Sequence, residues 1–158
     1  MIRYLFVTIF GTLLHFFYEW SGGNIAVGLF SPVDESVWEH LKLLFFPMLA
    51  LTLWDYFVSN KRNSGFLPAR VAGIVAGMFF IVTAYYTITG VIGKNIDWLN
   101  IVIYFAGVAV AFLTERKFRQ KGNCYNSALA VIVLVTIAIL FAVFTFITPK
   151  IGLFESIS

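Results

Sequence analysis

The stretch SALAVIVLVTIAILFAVFTFI, residues 127–147, contains no charged side chain and stops just short of Pro149. A helix needs about 20 apolar residues to cross a hydrocarbon core of roughly 30 Å. The run has that length, and it predicts a membrane-spanning helix rather than a strand or a loop.

Four further runs read the same way: residues 4–20, 36–59, 69–90 and 97–115. The first ends at the Gly22-Gly23 breaker. The third follows Pro68, a residue suited to a first helical turn. The expected fold is therefore all-α: a single transmembrane domain, residues 1–158, forming an integral membrane bundle of five helices. Composition agrees, with 60% apolar residues against roughly 45–50% in soluble domains. Charged residues are 12%, too few for a polar surface, and the mean hydropathy is +0.89. No repeat, linker or low-complexity tract interrupts the pattern.

Five spans place the basic residues unevenly. Arg3, Lys61, Arg62, Arg70, Arg116, Lys117, Arg119 and Lys121 fall on one side, and Lys42, Lys94 and Lys150 on the other. Cytoplasmic loops carry the excess of Lys and Arg, so the N-terminus is expected in the cytoplasm and the C-terminus outside. The acids run the other way, with only Asp55 and Glu115 inside. The net charge of +3 is explained by this topology and does not point to nucleic acid. The first run is read as a span rather than a cleaved leader, because it is long for an h-region and has no clear small-residue cleavage site. Cys124 is the single cysteine, which excludes an intrachain disulfide and any CxxC pair.

Ala69, Gly73 and Gly77 form a small-residue stripe on the third span, and Gly107 and Ala111 form one on the fourth. Such stripes let helices approach closely. Packing within the chain is the first use expected of them, and a homo-oligomer through Gly73 and Gly77 the second. Trp20, Trp38, Trp54 and Trp98 lie near span ends, where amphipathic rings settle at headgroup level.

The chemistry-bearing residues gather at the outer end. His15 and Glu19 are four apart and share a helix face. Across a short loop comes Ser31-Pro32-Val33-Asp34-Glu35-Ser36-Val37-Trp38-Glu39-His40-Leu41-Lys42, opening the second span. Lys94 and Asp97 lie at the same level, with Tyr85 and Tyr86 about a turn deeper. Several have plain structural readings. Ser36 and Glu39 fit a capping box, Asp34 or Ser31 could cap the same start, Asp97 reads as the N-cap of the fourth span, and Lys42 as a snorkelling cation. Asp55, near the inner end, reads as a partner for Lys61 or Arg62. Glu19 is different: at a helix C-terminus the dipole disfavours an anion, so it is protonated, paired or metal-bound. His15 and His40 are the only histidines, and ionisable groups at membrane depth default to function.

The run Ser31 to Leu43, with Phe45-Phe46-Pro47 after it and His15-Phe16-Phe17-Tyr18-Glu19-Trp20-Ser21 before it, resembles a family of small, uncharacterised bacterial membrane proteins. Their signature is N-E-S-x-W-E-H-x-K-L, with Asp34 here in place of the Asn. The resemblance implies a multi-pass protein of the bacterial inner membrane and marks this segment as the site, but brings no activity with it.

Three functions compete. The outer cluster His15, Glu19, Glu35, Glu39, His40, Lys42 and Asp97 could bind or transport a small solute, ion or proton. His15, Glu19, Glu39 and His40 could instead ligate zinc, iron or manganese, as a metal-binding protein or a metalloenzyme acting on a lipid-phase substrate. No HExxH or paired ExxH supports a standard metal motif. The third expectation is a structural or accessory subunit whose polar cluster only holds a hairpin shut.

Overall fold

The structure is a computed structural model and describes residues 1–58, 65–120 and 126–155. Among these residues every regular element is helical. α1 (Ile2–Trp20) leads into the short α2 (Ile25–Gly28) and then α3 (Val37–His40), which runs on through Leu41 into α4 (Lys42–Leu53) and a π-helical turn, Trp54–Val58. The long helices α5 (Phe66–Ile92), α6 (Asp97–Gln120) and α7 (Ser127–Phe146) follow, and a 3-10 turn, Gly152–Phe154, folds back against α3.

Among the described residues, four helices are long and apolar enough to cross a membrane: Val37–Val58, Phe66–Ile92, Asp97–Gln120 and Ser127–Phe146. The protein is thus a multi-pass helical membrane protein. α1, 19 residues carrying Arg3, His15 and Glu19, is not among the four, so length and composition bear out four of the five expected spans. The helix ends agree with the apolar runs to within a few residues, except that α5 starts before Pro68 and α6 continues to Gln120.

The helix Val37–Val58 is the axis of the bundle, with 56% of its most apolar window buried against 17% for α7. Leu44, Phe45, Met48, Ile74, Val108, Ala111 and Phe141 meet around it with essentially no exposure. α5 and α6 pair through their small residues. A Cβ on Gly73 would lie 2.5 Å from the Ala111 carbonyl oxygen, and one on Gly77 2.8 Å from that of Gly107. The stripe considered for a homo-oligomer is therefore covered by α6 of the same chain.

Pro47 sits inside α4. It has no N–H for the Leu43 carbonyl one turn back, and an unpaired carbonyl is costly in a span. Tyr104 of α6 brings a donor to it: the one proton of its hydroxyl is shared between Val7 O of α1 at 3.0 Å and Leu43 O at 3.3 Å. Gly11 makes room, since a side chain there would collide with both the Tyr104 hydroxyl and Leu43 O. One phenol thus joins three helices at the proline.

Trp20, Trp54 and Trp98 are each more than half exposed, as interfacial rings would be. Trp38 is not: its ring lies 4.9 Å from Phe141, 5.5 Å from Phe144 and 5.0 Å from Phe154. It is a packing residue that holds α7 and the 3-10 turn against α3.

Candidate functional site

α1 ends at Gly22 and Gly23, both at positive φ, a conformation only glycine adopts without strain. The turn sends the chain back across α1. There the Ser31 hydroxyl donates to Leu14 O and accepts from the Tyr18 amide. Those two backbone groups would otherwise bond each other as residues i and i+4. Ser31 therefore stands within the hydrogen-bond ladder of α1, in the turn that carries His15.

The next segment is pinned by a buried ion pair. Lys42 Nζ is 2.6 Å from Glu39 Oε2, and both side chains are almost wholly buried. Lys42 also donates to Gly28 O at 2.8 Å and Thr145 Oγ1 at 2.7 Å, while Glu39 accepts from the Val33 amide at 2.9 Å. The pair ties α2, the loop, α4 and α7 together. Lys42 does not snorkel, because its three protons all have acceptors inside the protein. Only half of the expected capping box forms. Ser36 caps α3 through the Glu39 amide, but Glu39 reaches Val33, and Asp34 takes the Ser36 amide at 2.8 Å.

With the loop held this way, Glu35 projects between the two histidines. His40 Nε2 lies 3.3 Å from Glu35 Oε2 and His15 Nε2 lies 3.7 Å from Glu35 Oε1. The imidazole rings are 5.2 Å apart. One donor atom from each of His15, Glu35 and His40 falls within 4.8 Å of the others. For comparison, two donors on a tetrahedral zinc ion stand about 3.4 Å apart, given metal–ligand bonds near 2.1 Å. With His40 as an imidazolium, its Nε2–H holds the Glu35 carboxyl below its ordinary pKa, against the opposing pull of burial.

His40 Nδ1 is 2.8 Å from Ser36 O. A carbonyl only accepts, so Nδ1 carries the hydrogen. In the neutral ring Nε2 would then turn a lone pair toward a carboxylate oxygen, which is repulsive unless a cation lies between them. A hydrogen bond from the far ring nitrogen to a backbone carbonyl is also how metal-ligating histidines are usually oriented.

Beside the cluster lies a cavity of about 330 Å³. Glu35, His40, Asn95, Asp97 and Asn100 line its polar part, and Leu43, Ile81, Ile103 and the rings of Tyr85 and Tyr104 the rest. Asp97 is the first residue of α6 rather than its N-cap, and it is exposed on this wall. Of the residues singled out from the sequence, the structure brings together His15, Glu35 and His40, with Asp97 across the cavity. Glu39 and Lys42 are occupied with each other. Glu19 is exposed, one turn outward of His15, and outside the three-residue group.

The opposite end holds a second polar group. Arg70, fully buried, donates through Nη2 to Asp55 at 2.9 Å and to Glu115 Oε1 at 3.2 Å, its Nε lies 2.8 Å from Glu115 Oε2 as an ion pair, and its Nη1 donates to Thr52 at 3.3 Å. Arg3 reaches the other Asp55 oxygen at 2.7 Å. The π-helical turn brings Asp55 inward while Trp54, Phe57 and Val58 stay exposed. Lys61 and Arg62, the partners expected for Asp55, lie outside the described residues. Charge and hydropathy alone do not give Arg70 and Glu115 this role, but their spacing carries a signal. Arg70 shares the stripe of Gly73 and Gly77, and Glu115 that of Gly107 and Ala111, so both faces pointed inward.

These features define a class: a multi-pass helical membrane protein with a two-histidine, one-carboxylate group at one end and a buried arginine–carboxylate network at the other. The whole chain, residues 1–158, matches the model of the Family of unknown function (DUF6512), and the protein belongs to that family. No curated protein and no solved structure matches it.

Proposed function

We propose that this is a five-span protein with its N-terminus in the cytoplasm and that it binds a divalent transition-metal ion of the zinc class at its outer end. His15, Glu35 and His40 are the ligands, and the adjoining cavity takes the small solute or water that completes the coordination. The observation that carries the proposal is the facing of His40 Nε2 and Glu35 Oε2 at 3.3 Å while Nδ1 is committed to Ser36 O. Two imidazoles and a carboxylate are ligands typical of zinc, iron and manganese sites. When bound, such an ion would supply Lewis acidity toward a ligand in the cavity. α1 serves as the fifth span: at 19 residues it is about 28 Å long, close to the thickness of a bilayer core, and it packs along α4. The eight-to-three division of Lys and Arg supports the orientation, and the family resemblance supports a bacterial inner membrane.

A second reading, in which the same group binds a proton, rests on the same facing atoms, with His40 as an imidazolium. Binding is favoured over conduction because Leu44, Met48, Ile74, Val108 and Ala111 fill the bundle between the cavity and the Arg70 network. Elemental analysis of detergent-purified protein separates the two readings. About one zinc, iron or manganese per chain, lost in His15→Ala and His40→Ala, is the expected result. Metal-free wild type after all three have been supplied would leave the proton reading.

A further inference from the structure

A groove of about 420 Å³ lies at the inner end, between the first turn of α1 and the last turns of α6. Arg3, Phe112, Glu115, Arg116, Arg119 and Gln120 line it. Its charge is not balanced. The groove and the network behind it bring together the guanidiniums of Arg3, Arg70, Arg116 and Arg119 but only the carboxylates of Asp55 and Glu115. Both carboxylates are already engaged by Arg70, and the Arg119 contact to Glu115 is long, at 3.6 Å. Among the described residues four guanidiniums thus share two carboxylates, an excess of two positive charges. Arg116 is exposed, and Arg119 is held over the Phe66 ring with its guanidinium carbon 5.7 Å from the centroid. The first turn of α1 has no side-chain cap, so its free amides add positive potential beside Arg3.

We propose that this groove is a binding site for the headgroup of one anionic phospholipid. The guanidiniums match a phosphodiester, which they bind through paired N–H donors. The depth suits a lipid rather than a soluble phosphate: α6 reaches the end of its span here, and Phe112 provides an apolar wall for the first acyl carbons. The site is independent of the histidine cluster, which sits at the other end of α1 and α6.

Native mass spectrometry of the detergent-purified full chain, titrated with phosphatidylglycerol or with phosphatidylcholine, tests the proposal. One resolved phosphatidylglycerol adduct is expected, bound more tightly than phosphatidylcholine. Arg116→Gln and Lys117→Gln make the decisive comparison, because they remove the same charge from adjacent positions and only Arg116 lines the groove. A loss of about fivefold in Arg116→Gln, the equivalent of about 1 kcal/mol per basic residue near an anionic surface, with no change in Lys117→Gln, supports the site. Equal losses in both variants, equal affinity for the two lipids, or competition by millimolar inorganic phosphate would overturn it. If Arg116→Gln does not fold, Arg119→Gln takes its place in the same comparison.

Discussion

At His40 a single backbone carbonyl fixes the chemistry, because Ser36 O commits Nδ1 and leaves Nε2 to meet Glu35. Glu35, not Glu39, is therefore the carboxylate of the proposed site. The sequence could not separate the two by helical spacing: α3 begins at Val37, so Glu35 precedes the helix and shares no helical face with Glu39. The Lys42 ion pair, which draws Glu39 away, is an i,i+3 contact open to a reading of helical spacing, but its burial against Gly28 O and Thr145 comes only from the tertiary fold. Two predictions belong here. The lowered pKa of Glu35 means its contribution to stability is complete above the ordinary carboxylate value and fades as pH falls through the lowered one. The difference in melting temperature between wild type and Glu35→Gln, measured without metal, should therefore shrink on acidification. A difference that grew would place the sign of the His40 contact wrongly. Lys42→Met should destabilise the protein by about 3–5 kcal/mol by leaving Glu39 buried and unpaired, while Lys42→Met with Glu39→Leu should recover much of that loss. Denaturant unfolding in detergent reads both.

At the scale of the helices, what the sequence made legible were the apolar runs and the small-residue stripes. Those features depend on residues near one another in the chain, and the structure turns the stripes into the α5–α6 contact. It could not show which distant side chain would repair Pro47, since Tyr104 lies 61 positions from Leu43. Tyr104→Phe should cost about 1–3 kcal/mol by leaving the Leu43 carbonyl unsatisfied. The cost should be smaller in a Pro47→Ala background, where residue 47 regains an N–H one turn from that carbonyl. A double-mutant cycle measures the coupling, and additive effects would show that Tyr104 does not serve the proline. Gly77→Val should destabilise by about 1–3 kcal/mol through overpacking, because the added atoms would meet Gly107 O, Ala111 and Leu44.

Across the whole molecule, polar groups concentrate at the two ends and an apolar core separates them. A cavity with its His/Glu group faces one side, and an arginine-rich network with its groove the other. A reporter fused after residue 158 should be active only if it functions outside the cytoplasm; cytoplasmic activity would remove α1 or another helix from the set of spans. His15, Glu35 and His40 are proposed to form one cation site in which Glu39 takes no part. Equilibrium zinc binding by competition with a chelating dye, on wild type, Glu35→Gln and Glu39→Gln side by side, tests it most directly. One site is expected in wild type, lost in Glu35→Gln and retained in the less stable Glu39→Gln. Zinc bound equally well by Glu35→Gln, or abolished only in Glu39→Gln, would contradict it.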